Sequence, residues 1–138
     1  DKRLLKIFAE ALKNLDIKFA WIVNSEDGLD EVSPYAKTNV VQLKDGKISE
    51  ITIDPNELNI GANKIEDLLG DDAEFNAKKM VDIFKGEDDD FSKAVCLNAA
   101  AGLIVAEKHY SFKSAYEDAR KHILSGKAYE NLKRIQNV

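Results

Sequence analysis

Residues 94–106, AVCLNAAAGLIVA, carry a single clearly polar side chain, Asn98. At helical spacing such a run is apolar around its whole circumference, and a helix of that kind is buried rather than laid on a surface. Ala99, Ala100, Ala101 and Gly102 in succession let another backbone approach closely, with glycine costing about 1 kcal/mol relative to alanine inside a helix. The rest of the chain must supply the layers that cover it, and 138 residues suffice for one domain burying about two-thirds of its unfolded surface. Asn98 is the exception within the run: a buried amide needs hydrogen-bond partners, from backbone in the core or from a loop crossing the helix.

The covering layers can be read along the chain. Residues 3–15 place Leu4, Leu5, Phe8, Ala11, Leu12 and Leu15 at three- and four-residue spacing, which predicts an amphipathic helix with Lys6, Glu10 and Lys13 toward water. Residues 18–23 then read as a strand, apolar at five consecutive positions, as suits a parallel-type strand covered on both faces. Two further strands within 38–53 meet at Asp45-Gly46, a dipeptide preferred in type I′ turns, which would set Leu43 opposite Ile48 and Val40 opposite Ile51. Those two pairs fall on opposite faces of the hairpin, so each face needs partial cover.

From residue 63 onward the pattern is helical. A short helix at 64–69 stops at Gly70, and Asp71 or Asp72 caps a second with Ala73, Ala77, Met80, Val81 and Phe84 on one stripe. The buried helix extends from about Phe91 to Lys108, with the last members of the aspartate run 88–90 as its cap. Ser111 caps another, with Phe112, Ala115, Tyr116, Ala119 and Ile123 inward and Gly126 beyond its end, followed by a final amphipathic turn through Leu132 and Ile135. The fold class expected is α/β: a parallel-type strand and a β-hairpin packed with several helices.

Several function classes fall away. No apolar stretch approaches the roughly 18 residues of a membrane span, and no segment has the make-up of a signal peptide, so a cytoplasmic protein is expected. Twenty Lys and Arg against 25 Asp and Glu leave a net charge of -5, with no basic stripe interleaved with aromatics, so nucleic acid is not an expected partner. The one cysteine, Cys96, lies in the apolar run and reads as a small core residue. His109 and His122 sit near helix ends, where histidine commonly serves the helix dipole, and Trp21 reads as core. The sequence opens at Asp1 directly in helical periodicity, as a piece of a longer chain would.

Directly after the first strand comes NSEDGLDE, residues 24–31, with four carboxylates around Gly28. Their mutual repulsion is relieved if a hard cation such as magnesium takes one or two of them and leaves its other positions to water and phosphate oxygens; adjacent Asp30 and Glu31 could do this. The same residues also read as a solvated acidic turn bent at Asp27-Gly28, and they do not match the spacing of a calcium loop.

EDGLDE at 26–31, GDDAEFNA at 70–77 and LNAAAGLIVA at 97–106, in this order around a strand–DG–strand hairpin, closely resemble the C-terminal part of the anthranilate phosphoribosyltransferase family. The resemblance covers essentially all 138 residues as a single domain, matching the C-terminal portion of that family's large α/β domain, of nucleoside-phosphorylase-like type. It implies a transferase of tryptophan biosynthesis that moves the phosphoribosyl group of phosphoribosyl pyrophosphate to anthranilate with Mg2+, as a homodimer. It assigns the metal to Asp30 and Glu31 and leaves Glu26 and Asp27 to shape the loop; Asn24 departs from the histidine many relatives carry. The family's GTGGD phosphate loop, KHGNR-like segment and N-terminal helical domain have no counterpart here, so catalytic and substrate-binding residues are not assigned and the chain alone is expected to be inactive. The alternative expectation is a non-catalytic interaction module, or half of a split enzyme, that keeps the fold without the phosphate loop.

Overall fold

The computed structural model describes residues 1–60 and 65–136. Helix α1 (Leu5–Asn14) follows one turn of 3-10 helix capped by Asp1. Strands β1 (Phe19–Ser25), β2 (Thr38–Lys44) and β3 (Lys47–Ile53) form a three-stranded sheet in that order. Helices α2 (Ala73–Phe84), α3 (Asp90–Val105), α4 (Phe112–Leu124) and α5 (Lys127–Gln136) complete the chain.

The hairpin has the register read from its turn, with Leu43 opposite Ile48 and Val40 opposite Ile51. Asp45 and Gly46 both have positive φ, 48° and 75°, as a type I′ turn requires. Alternation along the strands then divides the sheet between two layers. Val41, Ile22 and Ile48 pack with Leu5 and Ala9 of α1. Val40, Ile53, Trp21 and Val23 pack with the main core, built from Cys96, Leu97, Ala100 and Ile104 of α3 and Ala115, Tyr116, Ala119 and Ile123 of α4. The Trp21 ring lies 6.0 Å from that of Phe112, and its Nε1 donates to Gln42 Oε1 at 2.9 Å, so it is a core residue as expected. Cys96 is buried too, and burial pushes its thiol up to about 11, well away from a reactive thiolate.

Caps stand where the sequence places them: Asp72 accepts from Phe75 N, Asp89 from Ser92 N, and Ser111 from Ser114 N. The short helix expected at 64–69 is a turn of 3-10 helix over Ile65–Leu68; residue 64 lies outside the described residues.

Four expectations are corrected. Among the described residues β1 pairs in the antiparallel sense, with β2, rather than as the parallel-type strand expected: Phe19 stands opposite Lys44 and Val23 opposite Val40. Its continuous apolar run does have cover on both faces, but that periodicity carries no information on the direction of the neighbouring strand. α1 buries Leu5 and Ala9, whereas Ile7, Phe8 and Leu15 stand 64%, 55% and 71% exposed. α3 is buried on one side only, with Val95, Ala99 and Gly102 lying open in a line at helical spacing. α2 is likewise anchored through Ile83, with Phe75 and Met80 exposed.

The main core therefore rests on the inward face of α3. Replacing Leu97, fully buried there, with alanine is expected to lower stability by about 2–5 kcal/mol, measured as the shift of a urea unfolding midpoint at constant slope.

Candidate functional site

β1 ends at Ser25, and the chain returns to β2 at Thr38 through the acidic loop. The loop begins as a tight turn: Ser25 N donates to Leu29 O at 2.9 Å and Gly28 N to Ser25 O at 3.2 Å, with Gly28 at φ 97°, a conformation side chains resist. Glu26 N donates to Lys37 O at 2.9 Å and closes the loop's base.

Asp27 turns inward and organises this frame. Its carboxylate accepts from the hydroxyls of Ser25 and Ser33 and from Leu29 N at 3.4 Å. Burial pushes its carboxyl up, but these hydrogen bonds to the charged form outweigh burial and hold it below its ordinary value. Ser33, itself buried, accepts from Tyr35 N at 3.0 Å and Ala36 N at 3.2 Å through Oγ, while its own N–H donates to Thr38 Oγ1 at 3.1 Å. Asn24 braces the turn from the strand side by donating to Leu29 O at 3.2 Å.

Asp30 and Glu31 are both exposed, at the outer edge of this frame. Among the described residues neither forms an ion pair, and the one hydrogen bond to either carboxylate comes from Asn98 Nδ2 to Glu31 Oε2 at 3.2 Å. Two adjacent carboxylates supply hard oxygen donors suited to magnesium, which commonly takes one or two carboxylates and completes its shell with water and substrate phosphates. No cluster of three or more His, Cys, Asp or Glu arranged for a metal occurs among the described residues.

The loop is docked on α3 at two levels. Asn98 meets Val32, accepting from its N–H at 2.9 Å and donating to its carbonyl at 3.2 Å, so the amide has the expected loop-backbone partner although it is half-buried rather than buried. Near the start of α3, the Tyr35 hydroxyl donates to Asp90 at 3.2 Å, and Lys93 pairs with Asp90 at 2.6 Å. Burial and the Asp90 charge push the Tyr35 phenol well up, so it stays a proton donor across the neutral range.

Sequence reading singled out the loop, Asp30, Glu31 and Asn98, and assigned Glu26 and Asp27 to shape; Asp27 does brace the turn, whereas the Glu26 side chain is exposed. It missed Ser25, Ser33, Tyr35 and Asp90. A serine before a proline, at Ser33-Pro34, carries a local turn signal that could have pointed to the bracing hydroxyl; nothing in the sequence pairs Tyr35 with Asp90. The histidines stand apart: His109 bonds Ser114 and Asp118 at 3.3 and 3.2 Å. A cleft lined by Leu58, Lys93, Tyr116, Arg120 and Leu124 shares no residue with the acidic loop, and its Arg120 is engaged by Asp88.

Residues 1–129 match the family described as Glycosyl transferase family, a/b domain. The chain is 80% identical over 138 residues to an anthranilate phosphoribosyltransferase of Pelagibacter ubique, covering all of this chain and 42% of that protein. It is 37% identical over 135 residues to that of Petrotoga mobilis, covering 98% of this chain and 39% of the relative. The crystal structure of anthranilate phosphoribosyltransferase from Thermus thermophilus superposes with a TM-score of 0.87 at 32% identity, covering 97% of this chain and 39% of that one. The enzyme from Saccharomyces cerevisiae in complex with PRPP and Mg has a TM-score of 0.85 at 21% identity, over 96% of this chain and 39% of that one, which speaks to fold alone. The chain thus spans about two fifths of the length of the relatives it matches.

Because the Asp27 carboxyl is held below its ordinary 3.8, it stabilises the loop fully above that value and loses its contribution as pH falls through its lower folded value. Asp27→Asn is expected to cost roughly 1–2 kcal/mol at neutral pH. In urea unfolding the difference from the parent should hold steady from neutral pH to about pH 5 and shrink toward zero below pH 3.8.

Proposed function

Since the chain belongs to the glycosyl transferase family, a/b domain, we propose that it is the C-terminal portion of a magnesium-dependent anthranilate phosphoribosyltransferase of tryptophan biosynthesis. The reaction joins the phosphoribosyl group of phosphoribosyl pyrophosphate to the amino group of anthranilate, releasing pyrophosphate. One observation carries this reading: Asp30 and Glu31, adjacent in sequence, stand exposed and without an ion pair among the described residues, on a loop in which another carboxylate, Asp27, is turned inward and satisfied.

Bound magnesium would supply charge neutralisation and orientation to the departing pyrophosphate. Asp30 and Glu31 hold it with oxygen donors and leave room for water and phosphate oxygens. Asp27, Ser25 and Ser33 keep the turn from collapsing or fraying, so that both carboxylates start from one geometry; such preorganisation is where positioning enters the rate. The α3 helix, through Asn98 and Asp90, ties the loop to the core.

The exposed apolar side chains of α1 and the open line along α3 suit cover by the rest of a longer polypeptide. That remainder would bring the phosphate-binding backbone: the seven glycines here are scattered, with no two adjacent, so they do not form a glycine-rich cradle. The same reading makes the complete enzyme a cytoplasmic homodimer; no described helix is long and apolar enough to cross a membrane.

Two outcomes follow. In the complete enzyme, Asp30→Asn and Glu31→Gln should each lower turnover on the order of 100-fold, the scale of losing one contact to a developing charge, with melting temperature unchanged and the magnesium requirement shifted upward. Unchanged activity and magnesium dependence in both variants would refute the assignment. Residues 1–138 alone, supplied with magnesium, phosphoribosyl pyrophosphate and anthranilate, should consume no anthranilate above background in a fluorescence assay; turnover at the rate of an ordinary enzyme would overturn the division of labour.

A further inference from the structure

We propose that Asn98 is a positioning residue that acts through Glu31: from the packed body of α3 it fixes the backbone at Val32 and aims the Glu31 carboxylate. The proposal rests on the reading of Asp30 and Glu31 as magnesium ligands.

The geometry is that of a bracket. Asn98 Oδ1 accepts from Val32 N at 2.9 Å, while Nδ2 lies 3.2 Å from Val32 O, so one amide takes both backbone groups of a single residue. A paired contact of this kind fixes orientation as well as distance. Val32 is itself 1% exposed and part of the main core, and Glu31 is the residue directly before it. The same Nδ2 is 2.9 Å from Ala94 O, one turn back along α3, and 3.2 Å from Glu31 Oε2. An amide nitrogen carries two protons, so the three oxygens share two donors and the contact to Glu31 is the outermost of the set.

Charge explains why an amide suits the position. A lysine or arginine would form an ion pair with Glu31 and compete with a metal for it, whereas an amide orients the carboxylate and leaves its charge available. An exposed hydrogen bond to a carboxylate contributes little to global stability, so the effect of the Glu31 contact falls on orientation. Groups that hydrogen-bond a metal's carboxylate ligands typically change affinity 10- to 100-fold when removed.

A double-mutant cycle on the full-length protein separates acting through Glu31 from simply bracing the loop. Manganese(II), a hard cation suited to carboxylate ligands, is titrated with inorganic pyrophosphate present, and the free ion is read by electron paramagnetic resonance. The proteins compared are the parent, Asn98→Ala, Glu31→Gln, the double variant of these two, and Asp30→Asn. Asn98→Ser, which can still bond the carbonyl one turn back but is too short to span to the loop, is carried in both backgrounds. Thermal melting identifies the folded variants on which the comparison is made. The expected result is a loss of manganese affinity of about 10- to 100-fold for Asn98→Ala and Asn98→Ser in the parent, and less than about twofold in the Glu31→Gln background. Equal losses in both backgrounds would overturn the proposal and reduce Asn98 to a loop brace, while the effect of Glu31→Gln would still stand. If Glu31→Gln and Asp30→Asn both bind manganese as tightly as the parent, the magnesium reading fails, and the proposal with it.

Discussion

α3 packs its buried apolar side chains on one face and carries Asn98 beside them, and the acidic loop is tied to the helix at that edge. Cys96, Leu97, Ala100 and Ile104 pack into the core shared by the sheet and α4. Asn98, half-buried at the edge of that core, has an amide whose hydrogen-bonding groups are met by neighbouring backbone. The loop after β1 supplies those partners at Val32. Val32 is itself in the main core, so the loop is docked on α3 by apolar packing and by the amide together, directly beside Glu31.

That coupling matters because the loop carries four carboxylates within eight residues. Two unit charges about 4 Å apart repel by about 1 kcal/mol even in water, and by more where solvent is partly excluded. The chain handles its acidic residues unequally. Asp27 is surrounded by hydroxyls and an amide that favour its ionised form. Asp30 and Glu31 receive no comparable compensation among the described residues, apart from the single bond from Asn98. A cation brought by a phosphorylated substrate would relieve that repulsion at the moment of binding, which links the cost in the free loop to the chemistry proposed for it.

Local chemistry carried most of what was legible in the sequence. Asp45-Gly46 set the hairpin register because two residues at positive φ close a two-residue turn whose twist matches that of the flanking strands, and the caps at Asp72, Asp89 and Ser111 follow from the unpaired amides of a helix start. What was not legible is non-local. The apolar run 19–23 reports cover on both faces but not strand direction, and β1 proved antiparallel. Phe8, Leu15 and Ala99 read as core by periodicity yet lie exposed in this chain, because periodicity marks a face meant to be covered without saying what covers it. In the site, Asp30 and Glu31 were found through motif resemblance, while the bracing by Ser33 and the Tyr35–Asp90 contact, 55 residues apart in sequence, depend on the fold.

The central claim is that Asp30 and Glu31 hold the metal that accompanies the pyrophosphate. It is tested most directly by diffraction from crystals of the complete protein grown with manganese and phosphoribosyl pyrophosphate, with data collected at the manganese absorption edge. The account predicts an anomalous peak within metal–oxygen bonding distance, about 2.0–2.3 Å, of a carboxylate oxygen of Asp30 or Glu31, with the remaining ligands drawn from water and the pyrophosphate. Ordered phosphoribosyl pyrophosphate whose metal is bound by other residues, with both carboxylates pointing into solvent, would contradict it.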